Sequence, residues 1–486
     1  MCLQNMVGLF CERSTTKGDT MITQNTINQA ELQAGLTEKF PLHFHVQDLK
    51  LSALAKRHNI VKSKGVEAFS VLLVLINLTF INKSIHHFSK YCRHELLKIG
   101  GKDVLYRLTL RTDIRWRGFL ADLATTIIQR LERMSSWSDR VLVLDDTIIE
   151  KRGKRFQGLS WVFDHTVHKS VLGFNALVLG WSDRSSMIPI DFAMVGGKNR
   201  KGLKANLPNF DNRTIAHKRY EELGQSKLDL AKQMLAHAKR KGVDAGAVCF
   251  DTWFCWPKFV SSVVHEIGYD VVSRLKSTEK LTVVYKNKKY STKRIWSEAS
   301  KLRKKMVTVR NEDIAISSCV AVYGGVTVRL VFCEPTKKKS VNRPVILIAS
   351  ELGLSPEQVL ETYSQRWAIE VMFKQAKQEL FLGKYQSTSF QAAICMTTLS
   401  LARFAIIGYL ERMENDLREK GSLFEKMKYE IETLNSLAFL DQFLSLLSSL
   451  MPSNINTWNI LWEALSQVQD NIKESIEAFM FHKCET

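Results

Sequence analysis

Two short apolar runs, each followed by aspartate, constrain this chain more than any other feature. Val141, Leu142, Val143 and Leu144 lead into Asp145, Asp146 and Thr147, and Ala247, Val248, Cys249 and Phe250 lead into Asp251. Consecutive apolar residues without polar alternation mark a strand covered on both faces, as in the middle of an α/β sheet. A carboxylate at the end of such a strand is costly if buried unpaired. It either caps the next turn or binds something positive. Because neighbouring strand residues point to opposite faces, only one of Asp145 and Asp146 serves a given site. The carboxyl ends of strands are also where ligands gather in α/β folds, so two such ends carry more weight than one.

The surrounding pattern fills in the sheet. Strand-like runs at residues 160–163, 171–179 and 187–192 have connections short enough for antiparallel neighbours of the first strand. A basic loop follows, carrying Gly196, Gly197, Lys198, Arg200, Lys201 and Lys204. A helix is expected over residues 221–241 with Gly242 as its stop, and Pro257 opens another to about residue 267. Trp253 and Trp256 read as packing beneath Asp251. Residues 269–273 give a further strand. From 274 to 342, valine-rich alternation mixes with lysine runs, the pattern of an inserted β-rich unit with basic loops. Residues 345–349 return to a buried strand.

Residues 361–380, ETYSQRWAIEVMFKQAKQEL, then read as one helix. Ser355 suits the N-cap, Pro356 the first turn and Gln358 the capping box, and no glycine or proline interrupts it for about six turns. Tyr363, Arg366, Glu370 and Lys377 share one stripe, and Ile369, Met372, Phe373 and Ala376 share an apolar one. The polar stripe is either a solvated face with an Arg366–Glu370 pair, or a metal-binding carboxylate with cations that hold a phosphate backbone.

Charge favours a polyanionic partner. The 486 residues carry a formal +20 at pI 9.5, which points first to nucleic acid. Helical periodicity with many Arg and Lys residues between 46 and 135 fits a DNA-binding domain. The nine cysteines lack zinc spacing and fit a reducing compartment. Glu67 and Asn77 cut short one apolar run, and Arg403 interrupts another between 392 and 409, so no membrane partner is expected. A cytoplasmic, nucleoid-associated protein is the expectation. The acids Asp146, Asp251 and Glu370, brought to one pocket, repel one another unless a cation such as Mg²⁺ offsets them. Two ions about 4 Å apart would support phosphoryl transfer on DNA.

Tyr363, Arg366, Glu370 and Lys377 match in full the Y-(2)-R-(3)-E-(6)-K spacing of the DDE transposases of bacterial insertion sequences, in the group named after insertion sequence four. LVLDDTIIE resembles that family's first-aspartate strand, with Asp146, directly before threonine, in the catalytic place, and VCFDTWF resembles the second, with Asp251 there. The resemblance implies an α/β, RNase H-like mixed-sheet catalytic core (136–274 and 345–390). It implies a β-rich insertion (275–344) between helical flanks, for which the residue pattern itself gives a DNA-binding domain at 46–135, a helical dimerisation region at 391–486 and a flexible polar arm at 1–45. It implies Asp146, Asp251 and Glu370 as catalytic metal ligands for two Mg²⁺ or Mn²⁺ ions, and Tyr363, Arg366 and Lys377 as DNA-binding residues. The implied reaction is cleavage at terminal inverted repeats and transfer into target double-stranded DNA, cut-and-paste through a hairpin, by a synaptic homodimer. A tryptophan of the insertion, here Trp296, would receive a flipped base. The competing readings are a domesticated, non-catalytic DNA-binding protein and a related RNase H-like nuclease or resolvase.

Overall fold

The structure is a computed structural model, and it describes residues 48–79, 84–86, 102–164, 167–197, 210–299, 301–309, 312–336 and 344–413. The expected polar arm, the periodic stretch at 88–97, the basic residues of the 198–204 loop, the lysines at 337–339 and the helix expected over 434–451 lie outside them.

The first apolar run is the opening half of β1 (Val141–Glu150), and the second is β5 (Ala247–Phe250). These two strands pair in parallel from Val141↔Ala247 to Leu144↔Phe250, with all eight residues buried. On its other side β1 pairs antiparallel with β3 (Lys169–Ser182) over its whole length, from Val141↔Ser182 to Glu150↔Gly173. The aspartates therefore do not end the strand, as the apolar run alone suggests. β3 keeps supplying backbone partners beyond Leu144, so Asp145 and Asp146 stand in mid-strand, where β5 leaves off.

The remaining strands are β2 (Ser160–Asp164), β4 (Met187–Val195), β6 (Val271–Leu275), β7 (Thr282–Tyr285), β8 (Lys288–Ser291), β9 (Lys305–Val309), β10 (Glu312–Tyr323), β11 (Val326–Pro335) and β12 (Val345–Ala349). Their order is β2-β3-β1-β5-β6-β12-β11-β10-β7-β8, with β4 on β3 and β9 on β10. Only β3 of the early strands neighbours β1; β2 and β4 share the far edge of β3. β12 pairs antiparallel with both β6 and β11, so the strands of the valine-rich stretch extend the central sheet rather than closing on themselves.

The helices of the first part are α1 (Leu51–Arg57), α2 (Ala68–Asn77), α3 (Lys102–Leu110) and α4 (Trp116–Leu131). α5 (Ile215–Glu221) and α6 (Lys227–Arg240) replace the single helix expected over 221–241. The chain breaks there because a 3₁₀ turn ends at Gly224, and Ser226 then caps α6 by accepting the Asp229 N–H at 3.3 Å. α7 (Pro257–Ser261) runs into a π-helical turn stopped by Gly268 at φ 80°, and α8 (Trp296–Ala299) is short.

Residues 361–380 also form two helices, α9 (Pro356–Ser364) and α10 (Trp367–Gln378). The capping box at Ser355 and Gln358 forms as its spacing predicts. The break falls at Gln365 and Arg366, whose N–H groups bond three residues back, to Thr362 and Tyr363. Gln365 is buried there, with neither amide atom bonded to protein.

α11 (Phe390–Met413) is long and apolar enough to cross a membrane, but 94% of its apolar window is buried inside the fold, against α4, α3, α2 and β4. Arg403, which interrupts its apolar sequence, is buried and donates to the backbone carbonyls of Ile76 (2.7 Å), Leu75 and Leu380 (3.3 Å). These are carbonyls that two chain ends leave without helical partners. The result is a mixed α/β fold with one large mixed sheet flanked by helices.

Candidate active site

Register decides which side chains meet. Val143 pairs with Cys249 and Leu144 with Phe250, so Asp145 and Asp251 continue the same rows. Residues in register on parallel strands share a face, and Cys249 on that face reaches the carbonyl of Thr362 in α9. Asp145 thus faces the α9–α10 break, and Asp146 faces the opposite way, toward the start of α6.

At the break, Arg366 spans two carboxylates, donating Nη1 to Asp145 Oδ2 at 3.1 Å and Nη2 to Glu370 Oε1 at 2.6 Å. Its Nε has no protein partner. The ring of Tyr363 lies against this guanidinium, 5.8 Å from centroid to Cζ. Burial opposes the Arg366 charge, yet Tyr363, Glu370 and Asp145 outweigh it and hold the group above its ordinary pKa. The Arg366–Glu370 pair therefore exists, with side chains 15% and 35% exposed, and Arg366 reaches Asp145 as well.

Across the strand, Lys227 Nζ bonds Asp146 Oδ2 at 2.7 Å and sits 4.7 Å from the ring centroid of Trp253. Asp251 accepts the Trp253 N–H at 2.8 Å. The three aspartates are close enough to act on one another. Burial pushes the Asp145 carboxyl up to about 7; the Asp146 N–H and Arg366 oppose the rise, and the charges of Asp146 and Asp251 add to it. Asp251 is raised chiefly by burial, with Asp146 adding and the Trp253 N–H and Arg366 opposing.

Of the residues that sequence spacing singles out, the structure gathers Asp251, Arg366, Glu370 and Tyr363 around Asp145, with Asp146 at the same place on the strand but engaged by Lys227. Lys377 lies apart from this group. It is half-buried, its pKa lowered by burial and partly restored by Asp164 at the end of β2. Trp253 and Trp256 do not pack beneath Asp251 but are 44% and 45% exposed; Phe254 takes the buried place between them. Trp296 is packed against Phe332, with ring centroids 5.2 Å apart. Sequence reading missed Lys227. Its only signal was a lysine directly after the capping serine of a helix that the periodicity began too early.

The donor type, carboxylate oxygen, suits a hard divalent cation. Four carboxylates, Asp145, Asp146, Asp251 and Glu370, lie near two bonded cations, Arg366 and Lys227, and burial raises Asp145 and Asp251 with a smaller contribution from neighbouring carboxylates. All donors are oxygen, the preference of Mg²⁺ and Mn²⁺. Among the described residues no three His, Cys, Asp or Glu side chains converge as a metal would need; Arg366 lies between Asp145 and Glu370, and Lys227 holds Asp146.

Residues 97–313 match the family model of the DDE superfamily endonucleases. That span takes in Asp145, Asp146, Lys227 and Asp251 and ends before Arg366 and Glu370. No curated protein matches the chain. The mixed sheet with flanking helices is consistent with the RNase H-like fold of such endonucleases.

Proposed function

We propose that the chain is a DDE transposase that cuts DNA at the ends of a mobile element and joins those ends to target DNA. The endonuclease match supports metal-dependent DNA cleavage in general, with DNA as partner. The observation that carries the finer reading is the Arg366 bridge, which ties the Glu370 helix to the aspartate strand within one cleft.

By the resemblance, Asp146, Asp251 and Glu370 would hold Mg²⁺ or Mn²⁺; Asp146 would have to leave Lys227 to reach them, and Asp145 already stands on the Glu370 side. Bound there, two such ions would polarise the attacking water or 3′-hydroxyl and stabilise the leaving oxygen. The chain's own groups do the rest. Arg366 and Tyr363 orient a strand phosphate over the carboxylates, and the guanidinium offers a planar fork for it. Lys377 and the wider basic surface hold the backbone of the element end. Water attacks phosphorus, the bond to the 3′-oxygen breaks, and a 3′-hydroxyl and a 5′-phosphate result. That hydroxyl then attacks the opposite strand to close a hairpin, and the reopened end attacks target DNA within a synaptic dimer.

The test is Mg²⁺-dependent nicking of a duplex that carries the element's terminal repeats. Asp251→Ala and Glu370→Ala should each abolish it with the fold intact. Robust cutting by Glu370→Ala would sink the assignment. A related nuclease would cut such DNA without joining the freed 3′-hydroxyl to a target plasmid, so a strand-transfer assay separates the two. Arg366→Ala should weaken end binding in a gel shift or stall hairpin resolution while metal uptake persists.

A further inference from the structure

The Lys227 ammonium makes a strong contact beside these carboxylates that the reaction just described leaves without a task. Lys227 is the first residue of α6, a position where the partial positive charge of a helix N-terminus disfavours a cation. Only 17% of its side chain is exposed. Nothing in the packing of α6 demands it, because the helix buries Leu230, Ala231, Met234, Leu235 and Ala238 instead. Its Nζ is held between a carboxylate oxygen of Asp146, 2.7 Å away, and the ring of Trp253, two residues beyond Asp251. It therefore links β1 at Asp146 to the turn after Asp251, on the face opposite Arg366.

Simple neutralisation of Asp146 does not account for this arrangement. Glu370 and Asp145 share a guanidinium in a fixed fork on the other face. Asp146 instead receives a point charge on a four-carbon stem, the cation best able to swing between partners. The oxygen it occupies is one that a metal would need. The Trp253 ring, 44% exposed, gives the ammonium a second surface beside that carboxylate. A lysine displaced from that carboxylate at a DNA-cutting centre can turn to the phosphodiester as its acceptor.

We propose that Lys227 is a substrate-phosphate residue of this cleft, seated on Asp146 until DNA and metal enter. The inference rests on the endonuclease reading of the site. Two properties follow from it and pull in opposite directions. Without Lys227, Asp146 is freed for metal, so metal affinity rises. Without it, the strand loses a charge-assisted contact, so cleavage slows.

The experiment compares wild type, Lys227→Met and Lys227→Arg. Mn²⁺ is titrated into DNA-free protein by calorimetry, and nicking of the end duplex is timed in parallel. K227M should bind Mn²⁺ about threefold or more tighter and cut about 10- to 100-fold slower, while K227R recovers much of the cutting rate. Where thermal melts show that K227M does not fold, Lys227→Gln, which keeps a hydrogen bond to Asp146 without the charge, should give the same two changes. Mn²⁺ affinity that is unchanged or weaker, or cutting at the wild-type rate, overturns the role of Lys227 alone. Wild-type protein that neither takes up Mn²⁺ nor cuts DNA overturns the endonuclease reading as well.

Discussion

Asp145 and Asp146 are adjacent in sequence and opposite in environment. Asp145 is held by Arg366 on the α9–α10 side, and Asp146 by Lys227 on the α6 side. Resemblance gives Asp146 the catalytic place, and the register puts Asp145 on the face of Glu370, so the two variants should differ. Asp146→Asn should abolish nicking. Asp145→Asn should leave measurable nicking and alter stability through a proton. Burial raises the Asp145 carboxyl from 3.8 to about 7 in the folded chain. Between those values the folded protein binds more protons than the unfolded one. The contribution of Asp145 to stability is therefore greatest below about pH 4 and is lost as pH rises toward 7. Asp145→Asn should remove that loss, gaining on wild type by on the order of 2–4 kcal/mol more at pH 8 than at pH 4. Urea melts at the two pH values measure it, and a gain independent of pH would refute it.

At the scale of elements, the glutamate helix is two helices with Arg366 at the joint. Periodicity could not show this, since neither residue at the break is a glycine or proline. The turn tightens where Arg366 reaches Asp145, a partner 221 positions away. β1 depends on a similar non-local fit. A Cβ on Gly173 would lie 2.3 Å from the Ile149 carbonyl oxygen, so only glycine lets β3 pass β1 at that point. Gly173→Ala should cost about 2 kcal/mol or more, lowering the melting temperature and slowing nicking, because the strand that carries both aspartates must shift. A cap acts more locally: Ser355→Ala should cost about 1 kcal/mol, seen in the melt.

Across the whole molecule, buried arginines join the parts. Arg117 of α4 makes a two-toothed contact with Asp191 of β4 at 2.6 and 2.7 Å, and another with Glu222 at 2.7 and 2.8 Å. Arg117→Met would leave two buried carboxylates without that cation and should cost about 3–5 kcal/mol. Arg403 ties α11 to the ends of α2 and of the glutamate helix, so Arg403→Met should cost about 3 kcal/mol through three lost carbonyl contacts. Thermal or urea unfolding checks both.

What the sequence determined by itself is local: buried strands from unbroken apolar runs, the capping box at Ser355, the stop at Gly242, and the acids worth watching. Those signals lie within a few residues of one another, where backbone preference and side-chain period act directly. Tertiary structure alone decided which aspartate faces Glu370, where the helices break, that β12 sews the valine-rich strands into the central sheet, and that Lys227 sits on Asp146. Each depends on strand register and on partners tens to hundreds of residues apart, and no spacing within one segment encodes them.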